Sequence, residues 1–134
     1  MAPSKVFMAV ASACRICISR WLVGSSSKSK LGVGAEVIRR ARQEAKLWVG
    51  VPTWPNHIPL LGSAGFDIKE YPYYDTASRE VNIDLMLRTL RQVPAGDVVL
   101  LHGCCHNPTG ADLTNEQWDA ITDIALERGF VPFI

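Results

Sequence analysis

Val98-Val99-Leu100-Leu101-His102-Gly103-Cys104-Cys105-His106-Asn107-Pro108-Thr109-Gly110 is the stretch that decides the fold. Its first four residues are an unbroken apolar run led by two β-branched valines, the composition of a strand buried on both faces. Its last four have the chemistry of a turn, because proline fixes one dihedral angle and glycine permits positive ones. A doubly buried strand that runs straight into a special loop belongs to a parallel sheet covered by helices.

Downstream, Thr114 and Gln117 have capping-box spacing. The helix they open carries Trp118, Ile121, Ile124 and Ala125 inward, and Gly129 stops it. Residues 130–134 begin another apolar strand. Upstream, Asp84 can cap a helix bearing Leu85, Met86, Leu87 and Leu90, which Pro94-Ala95-Gly96 ends. Residues 67–74 have strand composition, with Pro72 marking an edge or an interruption. Residues 57–64 read as a short helix with Gly65 as its C-cap. Pro52, Pro55 and Asn56 make a loop after the short buried strand Leu47-Trp48-Val49. Residues 35–46 read as a helix with Val37, Ile38 and Ala41 on one side and Arg39, Arg40, Arg42 and Glu44 on the other. Strands alternating with helices predict an α/β three-layer sandwich with a mainly parallel sheet and strands near 47–50, 98–101 and 130–134.

Composition is compatible with one soluble domain. The chain has 134 residues, 48% hydrophobic and 20% charged, with a formal net charge of +1. That balance gives no reason to expect nucleic acid or a membrane as partner. No apolar run approaches the roughly 18 residues of a transmembrane helix. The four cysteines form two close pairs, Cys14 with Cys17 and Cys104 with Cys105. Vicinal cysteines rarely bridge one another, so reduced thiols in a cytoplasmic protein are expected.

Residues 1–30 differ from the remainder. Lys5, the apolar run from Val6 to Ala13 and Ala11-Ser12-Ala13 form a weak targeting-signal pattern, blurred by Arg15 and Arg20. Gly24-Ser25-Ser26-Ser27-Lys28-Ser29-Lys30 is a linker by composition. The expected division is an atypical leader over 1–30, peripheral to the fold, and a partial domain over 31–134.

Ligands of parallel sheets collect at the carboxyl ends of the strands. Two unusual loops fall there: Pro52-Thr53-Trp54-Pro55-Asn56-His57 and His102 through Gly110. They suggest one site. Asn-Pro-x-Gly alone is only a turn. Together with its strand, with Thr53-Trp54-Pro55-Asn56-His57, with Tyr71-Pro72-Tyr73-Tyr74-Asp75 and with Ala95-Gly96-Asp97, it resembles the bacterial aspartate and tyrosine (aromatic amino-acid) aminotransferases of class I, which use pyridoxal phosphate. The resemblance runs from about Leu31 to Ile134. It implies a fragment of the large, cofactor-binding domain of a fold-type I enzyme. It also implies exchange of an amino group between aspartate or an aromatic amino acid and a 2-oxo acid, in a cytoplasmic homodimer.

The resemblance assigns roles to three residues. Trp54 stacks on the cofactor ring, where an indole face supplies area and fixes a plane. Asn107 donates to the cofactor's phenolic oxygen, which favours the phenolate, and both residues lie near bound substrate. His57 supports the carboxylate that pairs with the pyridine nitrogen. Without the resemblance, Trp54 reads as a core tryptophan under a loop, Asn107 as an Asx-type turn, and His57 as a solvated or structural residue. Cys14, Cys17, Cys104, Cys105, His102 and His106 have zinc-type chemistry. Adjacent cysteines point differently, however, and the resemblance explains the second cluster without metal, so no metal is expected.

Transamination also needs a lysine nucleophile. None of Lys5, Lys28, Lys30, Lys46 and Lys69 lies in a matching motif. The resemblance puts that lysine, the pyridine-pairing aspartate and the substrate-clamping arginine beyond Ile134. The family's glycine-rich phosphate turn is replaced by Ser25 through Lys30. A truncated enzyme without its catalytic lysine is expected, and a non-catalytic remnant or interaction module is the alternative. The shared loops do not separate aspartate from aromatic substrates.

Overall fold

The computed structural model describes residues 30–134. The leader, with Cys14, Cys17, Lys5, Lys28 and Ser25 through Ser29, lies outside the described residues. The elements run α1 (Lys30–Ala41), β1 (Leu47–Val51), α2 (His57–Ser63), β2 (Ile68–Pro72), β3 (Tyr74–Asp75), β4 (Glu80–Val81), α3 (Ile83–Leu90), β5 (Val98–Leu100), α4 (Asn115–Arg128) and β6 (Val131–Phe133).

Four strands form one sheet in the order β2-β1-β5-β6, with all pairings parallel. Register follows the pleat. Leu47 lies opposite Val98 and Val49 opposite Leu100. All four side chains belong to one apolar cluster, with Ala35 of α1 and Leu61 of α2. The alternate residues Val99 and Leu101 join Met86 and Leu90 of α3 and Trp118, Ile121 and Ile124 of α4 on the other face. A strand's side chains alternate between faces, so the two clusters are the two interfaces of a helix–sheet–helix sandwich. The three-layer expectation holds, and among the described residues the sheet has four parallel strands.

Two helix readings need correction. The first helix spans Lys30–Ala41, not residues 35–46, and its inward residues are Leu31, Ala35 and Ile38. Val37 is 63% exposed. Spacing of i, i+4 and i+7 defines the face that meets the sheet, and Val37 falls outside it. The third helix is capped by Asn82, whose side chain accepts from the Leu85 N–H. Asp84 lies in the first turn instead, where a carboxylate suits the helix dipole. The last helix has the expected capping box, Thr114 with Gln117, and Gly129 closes it in the left-handed conformation at φ 75°.

The stretch 67–74 is divided. β2 ends at Pro72 on the sheet edge, and Tyr74–Asp75 pairs antiparallel with Glu80–Val81 in a separate ribbon. Asp75 turns that ribbon by accepting from the Ala77 N–H and the Ser78 hydroxyl, both at 3.0 Å. Near the opposite end of the sheet, buried Asp97 accepts from the Lys46 N–H and the Trp48 indole N–H, each at 2.9 Å. It ties the start of β1 to the start of β5.

Candidate functional site

The strand order opens a crevice at one edge of the sheet. From β1 the chain passes through α2 to β2 on one side, whereas from β5 it passes through α4 to β6 on the other. The connections therefore diverge between β1 and β5, leaving a crevice at their carboxyl ends. The two unusual loops are the ones that leave these two strands.

Local bonding shapes each loop. In the first, Thr53 Oγ1 lies 2.7 Å from His57 Nδ1, and the His57 N–H donates to the Trp54 carbonyl at 2.9 Å. His57 is buried, and the Trp54 ring meets it edge-on, with centroids 5.3 Å apart. In the second, the Gly110 N–H donates to the His106 carbonyl at 2.6 Å, closing a turn around Asn107-Pro108-Thr109. The carboxylate of Asp112 accepts from the Cys105 and His106 N–H groups at 2.9 Å each. Thr109 Oγ1 lies 2.8 Å from His106 Nδ1 and accepts from the Ala111 N–H at 3.2 Å.

Rings join the loops into one cluster. His102 stands 5.1 Å from His57 and 4.3 Å from His106, centroid to centroid. His106 stacks on Tyr73 at 3.9 Å with the planes only 12° apart. Trp54 and His57 thus cluster with His102 and His106, and Asn107 is the exposed residue that follows buried His106 in the second loop. Both loops contain a cis proline bond, Val51–Pro52 and Asn107–Pro108.

The cluster is tuned toward neutral imidazole. Burial pushes His102 down to about 4, reinforced by repulsion from His106 and His57 and opposed by Asp112. Burial also lowers His57 and His106 below the ordinary histidine value; Asp112 opposes the shift at His106. Burial, with the nearby Asp112 carboxylate, pushes the Tyr73 phenol up to about 12. Neutral rings packed against one another are the cheap state in a low-dielectric pocket. His106 Nε2 is buried with no hydrogen-bond partner among the described residues.

Among the described residues no group of three or more His, Cys, Asp or Glu is placed to hold a metal ion. Cys104 and Cys105 form no disulfide. No described helix is long and apolar enough to cross a membrane.

Residues 19–134 match the family described as aminotransferase class I and II. The chain belongs to that family. The match begins upstream of Leu31, within the stretch set apart as a leader. Among relatives, the aromatic-amino-acid aminotransferase of Escherichia coli K12 is 46% identical over 120 residues, covering 90% of this chain and 30% of that protein. The aspartate aminotransferase of the same organism is 42% identical over 102 residues, 76% of this chain and 26% of that one. The aromatic-amino-acid aminotransferase of Burkholderia pseudomallei, solved covalently bound to pyridoxal phosphate, superposes with a TM-score of 0.74 at 28% identity. That superposition covers 98% of this chain and 42% of that one. The chain therefore spans about 30% or less of the two curated relatives, and its fold is part of the fold-type I aminotransferase architecture.

Several members of this cluster had no role assigned from the sequence. Tyr73, Thr53, Thr109 and Asp112 carried no role, and His102 and His106 entered only through the zinc comparison. The spacings Thr-x-x-x-His at 53–57 and His-x-x-Thr at 106–109 were available as signals of ring-orienting pairs.

Proposed function

We propose that this chain supplies the ring-holding part of a pyridoxal-phosphate-dependent aminotransferase, acting on aspartate or an aromatic amino acid with a 2-oxo acid. The observation that carries the reading is the single ring cluster built from both loops at the switch point between β1 and β5. The residues present suit a flat heteroaromatic ring: a part-exposed indole, an exposed carboxamide and uncharged imidazoles behind them. Bound pyridoxal phosphate supplies an electron sink, which the protein orients and tunes.

Each residue has a definite task in this proposal. Trp54 covers a face of the ring and fixes its plane. Asn107 donates its side-chain N–H to the phenolic oxygen and favours the phenolate. His57, with Nδ1 occupied by Thr53, has Nε2 left to support the carboxylate that pairs with the pyridine nitrogen. Trp54 and Asn107 also border the substrate. The complete protein is a cytoplasmic homodimer in this reading.

The chain alone holds the ring without turning substrate over. Lys46 and Lys69 stand at the amino ends of β1 and β2, the edge opposite the loops, and Lys69 pairs with Asp67 at 3.4 Å. Lys30 is exposed in the first turn of α1. An activity assay with aspartate or tyrosine, 2-oxoglutarate and added pyridoxal phosphate is expected to stay at background. Titration of the same chain with pyridoxal phosphate, read by absorbance, should show saturable binding that Trp54→Ala weakens about three- to tenfold. Binding that ignores Trp54 would remove the reading, and turnover that a lysine substitution abolishes would remove its non-catalytic half.

A further inference from the structure

We propose that Tyr73 is a positioning residue that holds the Asn107 carboxamide in place without touching the ligand itself. The proposal deepens the reading above and rests on Asn107 facing the ring. The loop around Asn107 is tied mostly to itself. Gly110 bonds to His106, Thr109 to His106 and Ala111, and Asp112 to Cys105 and His106. These partners lie within seven residues of one another, so the bonds keep the loop's shape but would travel with it.

Tyr73 reaches the loop from outside. Its hydroxyl donates to the Ala111 carbonyl at 2.5 Å, across 38 residues of sequence, and its ring lies flat on His106. The two contacts fall on either side of Asn107, at the residue before it and four residues after it. Tyr73 is itself held at both backbone groups. Its N–H donates to the Val51 carbonyl at 3.1 Å, extending the β1–β2 ladder by one residue, and its carbonyl accepts from the Asn82 N–H at 2.8 Å. The tyrosine is 3% exposed and packs in the cluster beneath α3 and α4. A post fixed to the sheet and to the start of α3 thus grips the loop at two points. The high pKa of the buried phenol keeps the donor proton in place at neutral pH.

The test uses the full chain and two variants. Tyr73→Phe keeps the stack and loses the hydroxyl; Tyr73→Leu loses both. In the ligand-free chain, the His106 ring protons should carry an upfield ring-current shift that Tyr73→Phe retains and Tyr73→Leu abolishes. Tyr73→Phe should speed hydrogen exchange at the Gly110 amide about three- to tenfold, the loss of one hydrogen bond, and should move the Asn107 side-chain NH2 signals. Affinity for pyridoxal phosphate should fall in the order wild type, Tyr73→Phe, Tyr73→Leu. Should Tyr73→Leu fail to fold, the Phe variant decides. Gly110 exchange and Asn107 signals unchanged in a folded Tyr73→Phe chain would overturn the proposal. Asn107→Ala separates the two claims. If it leaves cofactor affinity intact while Tyr73→Phe still disturbs Gly110 and Asn107, the assignment of Asn107 fails and the positioning role of Tyr73 stands.

Discussion

Three imidazoles packed in one crevice make acid a denaturant of this site. His102 titrates at about 4 when folded, against an ordinary value of 6.5, and His57 and His106 are shifted the same way. Between those limits the unfolded chain binds more protons than the folded one, so stability rises with pH. The contribution is complete above pH 6.5 and disappears as pH falls to about 4. Denaturant midpoints measured from pH 7 to pH 4 should fall over that window, and His102→Gln should flatten the slope; an equal slope in the variant would mean that the fold does not hold His102 neutral. Gly50 gives a second single-residue test. A Cβ there would meet the Tyr71 ring at 2.9 Å and its hydroxyl oxygen at 3.0 Å. Tyr71 crosses over Gly50 so that its hydroxyl can donate to the Leu100 carbonyl at 2.8 Å, just before the second loop begins. Gly50→Ala should therefore cost about 1–3 kcal/mol by overpacking, read from thermal or urea unfolding.

Single elements are stabilised by their ends. The α4 capping box satisfies two orphan donors, with Thr114 N–H to Gln117 Oε1 at 2.9 Å and Gln117 N–H to Thr114 Oγ1 at 3.3 Å. Thr114→Ala should destabilise the chain by about 1 kcal/mol, while Thr114→Ser should restore most of it. Because α4 begins after the Asn107 loop, the same variant should leave the His106 ring-current shift in place; its loss would mean that the cap and the loop are coupled. The ribbon of β3 and β4 was hidden in a sequence stretch that reads as one strand. Pro72 cannot donate to a further partner, and the Asp75 side chain supplies the turn. The first helix was misplaced for a related reason. Its arginines gave the pattern its apparent polar side, yet Arg39 lies over the Phe66 ring at 5.5 Å and is half buried.

At the scale of the whole molecule, one sheet is shared by two cores. Leu47 and Leu90 are each fully buried, one in each cluster. Truncating either to alanine should cost about 2–5 kcal/mol. Both variants should unfold in a single transition in which tryptophan fluorescence and far-UV circular dichroism coincide. Separate transitions in the Leu47 variant would show that the α1–α2 layer detaches without the α3–α4 layer.

The sequence by itself determined the fold class, the main strands, the capping box and the family. Each of these is a local or periodic property. An apolar run such as Val98-Val99-Leu100-Leu101 must be buried on both faces wherever it lies, and a rare loop keeps its identity whatever surrounds it. Trp54, His57 and Asn107 could be singled out for the same reason, because they sit inside those loops. Only the tertiary structure decided which groups meet. His57 faces His102 across 45 residues, and Tyr73 reaches Ala111 across 38. The switch point between β1 and β5 exists only once the strand order is set. Contacts of that kind depend on register and crossover direction, which long-range packing selects and which no spacing along the chain encodes.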